Sequence, residues 1–193
     1  LYPWVDTIPY MCVNGFDSIA LRVSGNTTPV SIGIQGTYNS TTRQLNVTAT
    51  ATFSQSVPSG PMRLSLYLRE DSVIGTGYPA YDQKCYSASW ANLYYPGQYD
   101  ANSQHILGYP HMNVNRGSLI GGTWGPSGVI PTSPVINTPY STTVTYTIPS
   151  TFNDARLSLV AYVANYGSTK FDKNVLNAQE VKITPTIATA VNN

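Results

Sequence analysis

Apolar and polar residues alternate along most of the chain, and the clearest alternating stretch is used twice. Arg63-Leu64-Ser65-Leu66-Tyr67-Leu68 returns as Arg156-Leu157-Ser158-Leu159, followed by Val160-Ala161-Tyr162-Val163. A period of two in a run rich in Leu, Val and Tyr fits a pleated strand covered on at least one side. A Thr-rich alternating run precedes each copy, Asn46 to Phe53 before the first and Thr142 to Ile148 before the second, and a Pro-bearing connector joins the two. The repeated unit of strand, Pro turn and strand predicts two matched halves that face each other, each contributing a central core strand.

The remaining pattern is consistent with this. Ile19, Leu21 and Val23 alternate with Ala20, Arg22 and Ser24, which predicts a half-buried strand ending at the Gly25-Asn26 turn. Val30, Ile32 and Ile34 repeat the alternation, and the turn cluster after Tyr38 predicts a hairpin between 30–37 and 43–53. From about Gly75 to Pro139 alternation fades and Gly, Pro, Asn and Tyr dominate. A structureless connection of that length is rare, so short strands are expected at 104–107 and 116–121, with a helical turn near 83–92. Alternation resumes over 141–148, and 175–183 reads as a last regular strand. The tail still alternates after Ile183, which predicts an edge strand. No segment carries sustained helical spacing with caps.

The expected fold is all-β: an Ig-like antiparallel β-sandwich with a long irregular aromatic-rich insertion. Residues 1–17, with Pro3 and Pro9, read as an extended N-terminal arm. Residues 18–183 form a single sandwich domain with the insertion at about 75–139, and 184–193 a C-terminal tail strand. The chain starts at Leu1 with no charged leader and no apolar run long enough to span a bilayer, so it is expected to be a processed or excised piece without a membrane-spanning segment.

Composition narrows the function classes. Of 193 residues only 10% are charged and the net charge is +1, which supplies no field to gather phosphates and argues against nucleic acid as a partner. Fifteen Tyr against four Phe, with many Ser and Thr, match secreted β proteins whose aromatics keep a polar tip. An extracellular or cell-surface location follows. Cys12 and Cys85 stand far apart, as one disulfide closing a large loop in an oxidising compartment or as two buried thiols.

Catalytic chemistry finds little support. His105 and His111 are spaced for neither a helical nor a strand metal pair. Ser103 beside His105 lacks a nucleophile elbow and an orienting carboxylate. Glu70 and Asp71 would point to opposite faces of a strand, and Gly121-Gly122-Thr123-Trp124-Gly125 reads as a tight bend under an indole rather than a phosphate loop. No enzyme, metal or cofactor is expected. The dense aromatics Tyr78, Tyr81, Tyr86, Trp90, Tyr94, Tyr95 and Tyr99 fit a sugar-stacking platform, a protein interface or a satellite core. Asn26, Asn39 and Asn46 each open an Asn-x-Ser/Thr triplet that could carry N-linked glycan.

Tyr38 to Phe53, Arg63 to Gly75, His111 to Gly125 and Val175 to Val181 together resemble the C-terminal β-sandwich domain of the twenty-eight-kilodalton outer-membrane protein family of bacteroidete surface proteins. The resemblance covers most of residues 30–183 and implies a cell-surface or secreted protein. That family usually carries an N-terminal thioredoxin-like domain with a Cys-x-x-Cys, which is absent here, so no redox activity is carried over. A family-like His-x-His reads His111-Met112-Asn113, which removes the basis for a metal role. The resemblance also implies O-glycosylation at Asp-Ser/Thr-apolar triplets, with Ser18 and Ser72 as the candidates. The expected function is a non-catalytic structural or adhesive subunit that self-associates, as a filament or lattice, through terminal strand exchange. The alternative is a carbohydrate-binding module that takes surface glycans on its aromatic loop.

Overall fold

The structure is a computed structural model that describes residues 28–75, 82–169 and 173–189. The predicted strand at 19–23 and the N-terminal arm lie outside the described residues. Strands β1 (Val30–Asn39) and β2 (Gln44–Phe53) form the expected hairpin, in register from Val30 opposite Phe53 to Asn39 opposite Gln44. Its turn is shaped by Asn39, whose Oδ1 accepts from the Thr41 and Thr42 amides at 2.9 and 3.0 Å. After β3 (Met62–Glu70) come β4 (Gln83–Lys84), helix α1 (Ala88–Tyr94), β5 (Tyr99–Asp100), β6 (His105–Ile106) and β7 (Val114–Ser118). Strands β8 (Pro139–Thr147), β9 (Leu157–Asn165), β10 (Val175–Lys182) and β11 (Thr186–Ala188) complete the fold.

Two four-stranded antiparallel sheets pack face to face, ordered β11-β1-β2-β8 and β10-β9-β3-β7, while β4-β6-β5 forms a small third sheet. This is the all-β, Ig-like sandwich expected. Leu64, Leu66 and Leu68 of β3 and Leu157, Leu159, Ala161 and Val163 of β9 are buried. They meet Leu45, Val47, Ala49, Ala51 and Phe53 of β2 in one core. Each large side chain so buried contributes roughly 1.5–3 kcal/mol.

The repeat is arranged differently from the expectation. The two Arg-Leu-Ser-Leu strands lie side by side, Tyr67 opposite Val160, and the two Thr-rich strands pair in the other sheet, Val47 opposite Val144. The halves therefore do not face each other across the core. Because Tyr67 and Val160 are equivalent positions of the two copies, an approximate two-fold axis runs between them. Hydrogen bonding between copies, rather than packing across the sandwich, is what the repetition produces.

The insertion also differs. Strand β7 returns to pair with β3, so the irregular stretch is two segments on either side of it rather than one run from 75 to 139. The pairing carries a β-bulge between Leu68 and Arg69. The expected strands at 104–107 and 116–121 are β6 and β7, and the helical turn lies at Ala88–Tyr94 rather than 83–92. The tail strand β11 pairs with β1 of its own chain, with Ile187 buried and the Thr189 hydroxyl accepting from the Ile34 amide at 2.9 Å. The tail is thereby committed to its own sheet.

Candidate functional site

Two regions gather the residues that could recognise another molecule. The first is the insertion. Ser87 caps α1, its hydroxyl accepting from the Trp90 amide at 3.4 Å, and Ala91 is the helix's buried residue. Trp90, Leu93 and Tyr94 fall on one helical face and stay 47%, 72% and 60% exposed. The rings run in a chain: Trp90 lies 5.0 Å from Tyr94 and 5.9 Å from Tyr95, Tyr95 lies 5.3 Å from Tyr109, and Tyr109 lies 4.9 Å from His111. The hydrogen bond with Tyr109 holds the Tyr95 phenol above its ordinary pKa. Tyr86 is exposed and Tyr99 sits half-buried in β5, while Tyr78 and Tyr81 lie outside the described residues. The structure thus joins Trp90, Tyr94 and Tyr95 of the predicted aromatics and adds Tyr109.

His111 opens onto a cavity of about 370 Å³ lined also by Val73, Asp82, Met112, Val114 and Arg116. Ser103 does not serve His105: its hydroxyl donates to Asp100 at 2.7 Å, which holds that carboxyl below the usual carboxylate range. Among the described residues no group of three or more His, Cys, Asp or Glu could hold a metal ion.

The second region is the outward face of β7-β3-β9. Tyr67 and Tyr162 stack at 5.9 Å with their planes 14° apart, and both hydroxyls donate to the Thr123 carbonyl, Tyr162 at 3.0 Å. Burial, then the neighbouring Tyr162 hydroxyl, pushes the Tyr67 phenol up to about 12. Trp124 meets Tyr162 edge-on at 6.1 Å, and Arg63 lies 4.5 Å over the Tyr166 ring. The loop bearing Trp124 can lie this close because of Gly125, at φ +78°, where a Cβ would collide with the Leu64 carbonyl.

Further along that face, the Arg69 guanidinium is held at both terminal nitrogens, while its buried Nε has no hydrogen-bond partner among the described residues. It donates to Asn113 Oδ1 at 2.7 Å and to Asp71 at 2.6 Å, and meets Glu180 end-on through both terminal nitrogens at 3.0 and 3.1 Å. Asn113 takes the left-handed conformation at φ +57°, its amide donating to Asp71 Oδ1 at 2.8 Å. A shallow groove of about 340 Å³ lies between these groups, lined by Tyr67, Arg69, Asn113, Asn115, Val160 and Tyr162. The sequence reading missed it. The available signal was the outward parity of Tyr67 and Tyr162 within strands otherwise recognised for their buried Leu.

Of the modification candidates, Asn39 and Asn46 are exposed, and Ser72 is half-buried in the turn after β3 at φ +55°. Ser18 and Asn26 lie outside the described residues, as does Cys12. Cys85 Sγ lies 3.4 Å from the Ser87 carbonyl.

The family model described as outer membrane protein Omp28 matches residues 16–187. A crystal structure of a domain of the outer membrane lipoprotein Omp28 from Porphyromonas gingivalis is similar over 83% of this chain and 92% of that one, at 19% identity and a TM-score of 0.43. No curated protein matches the chain.

Proposed function

The chain belongs to the Omp28 outer membrane protein family, and from that premise we propose a non-catalytic structural or adhesive subunit that assembles by receiving a neighbour's strand on the outer edge of β8. It is a protein of the outer membrane or cell surface. Among the described residues no helix is long and apolar enough to cross a membrane.

The observation that carries this reading is the edge itself. Strand β8 is nine residues long, carries no charged side chain, and pairs with β2 on one side only among the described strands. The Ile148 amide donates to the Arg43 carbonyl at 2.9 Å at the end of that ladder. Stepping back in twos directs the backbone groups of Tyr146 and Val144 toward β2, and those of Thr147, Thr145, Thr143 and Ser141 away from it. A long uncharged edge of this kind is a template for another chain. The donor in this reading is the arm at 1–17, because the tail strand already occupies its own sheet. In light scattering and electron microscopy, deleting 1–15 or making Thr145→Pro, which removes one outward N–H without touching the ladder to β2, should abolish assembly. A chain that stays monomeric at every concentration before any change ends the proposal.

A second reading, carbohydrate recognition by the insertion, is favoured by the exposed Trp90 and Tyr94 rings on one face of α1. It predicts glycan-array binding that Trp90→Ala and Tyr94→Ala remove. Glycosylation at Ser18, Ser72, Asn26, Asn39 or Asn46, and a Cys12–Cys85 disulfide, belong to the same cell-surface proposal. Intact mass of native material, with and without reduction, tests both against the bare mass of 20.9 kDa.

A further inference from the structure

We propose that the groove on the outward face of β7-β3-β9 is a binding site for a neutral glycan, separate from both the β8 edge and the aromatic insertion. Three observations select the ligand class. Tyr67, Tyr162 and Val160 provide an apolar, largely aromatic floor, and both phenols are tethered to Thr123, so the rings are positioned before anything binds. The C–H face of a sugar ring packs on such a surface.

The polar rim decides against charged ligands. Arg69 contributes no free cation, because Asp71 and Glu180 both hold it, and one guanidinium between two carboxylates leaves the rim with excess negative charge. A uronate, sialate or phosphate is repelled there. A cationic ligand gains from that charge but leaves the asparagine donors of the rim unanswered. Asn113 Oδ1 is taken by Arg69 and Asn115 Oδ1 accepts from the Gly117 amide at 2.9 Å, which leaves both side-chain NH₂ groups without a protein partner among the described residues. An NH₂ donor needs an acceptor, and an ammonium group has none. Hydroxyl oxygens of an uncharged sugar satisfy both conditions.

The supporting backbone is specialised at this place. Asn113 is left-handed, and the bulge opposite Leu68 and Arg69 fixes where Asn113 and Asn115 project. The volume of about 340 Å³ lies in the usual range for small-ligand sites.

The test is affinity electrophoresis of the purified chain through native gels containing neutral polysaccharides (glucan, mannan, galactan), uronic-acid polysaccharides (alginate, polygalacturonate) or gelatin. Retardation is expected in at least one neutral gel. Tyr162→Ala and Val160→Lys should each abolish it, with Asn115→Ala weakening it about tenfold and Trp90→Ala leaving it unchanged. Val160 is half-buried on the outward face, so Val160→Lys blocks the groove without entering the core. Circular dichroism and melting of each variant confirm folding. No retardation by any neutral polysaccharide, retardation only by uronates or gelatin, or retardation that survives Val160→Lys overturns the proposal. Loss on Trp90→Ala alone overturns it too, and moves the activity to the insertion.

Discussion

One sheet pairs the two Thr-rich strands of the repeat and the other pairs the two Arg-Leu-Ser-Leu strands, and their outward faces carry opposite chemistry. Across β2 and β8 the side chains are short hydroxyls, with Thr48 bonded to Thr143 and Thr50 to Ser141, each at 2.8 Å. Across β3 and β9 they are Tyr67 and Tyr162, with Arg69 held between carboxylates nearby. Inward positions have no such latitude, since each strand must fill the same core. The lesson is that a shared core constrains the inward positions of both strand types alike, while each type sets the chemistry of its own outward face. The hydroxyl face is a passive lattice that keeps a uniform edge, and the aromatic face is a built surface with its own supporting loop.

Four perturbations test that contrast, from the largest effect to the smallest. Glu70, almost fully buried, accepts from Arg116 Nε at 2.7 Å and from the Asn153 amide at 2.9 Å, which pins β7 beside the aromatic face. Arg116→Met leaves that carboxylate without its cation, and urea unfolding should show a loss of about 3–5 kcal/mol. Gly125→Ala should cost about 1–3 kcal/mol through its left-handed backbone, and it should lift the Trp124 loop from the sheet, shifting indole fluorescence to the red.

The third perturbation is pH. Because folding raises the Tyr67 phenol from 10.0 to about 12, its contribution is fully present below pH 10 and is lost as pH rises from there through about 12. Ultraviolet titration should find a late tyrosinate that Tyr67→Phe removes. Smallest is Thr48→Val, on the hydroxyl face, which should change stability by less than about 1 kcal/mol. A larger loss there would mean that the lattice is structurally as demanding as the aromatic face, and the contrast would fail.

Legibility followed the physics of alternation. The β1–β2 hairpin, β8, β9 and β10 could be read from the chain because a period of two reports which side of a strand is buried. Alternation does not report the partner across the hydrogen bonds, so Leu64 to Leu68 and Leu157 to Val163 read as facing halves although they are neighbours. Helix α1 is seven residues long, too short to show a helical period, so the sequence pattern locates it only to within a few residues. The groove was hidden for another reason: Tyr67, Asn113 and Tyr162 come from β3, the approach to β7, and β9, and only the folded sheet brings them together.

Strand β7 and its approach form a wall between two hollows. Met112, Val114 and Arg116 line the cavity at His111, and Asn113 and Asn115 line the groove beside Tyr162. A slip of one residue in that stretch would exchange the two sets, placing amides in the apolar hollow and a methionine against the tyrosines. The bulge opposite Leu68 and Arg69 sets the spacing, so a one-residue deletion there should erase both hollows in a single step while sparing the core.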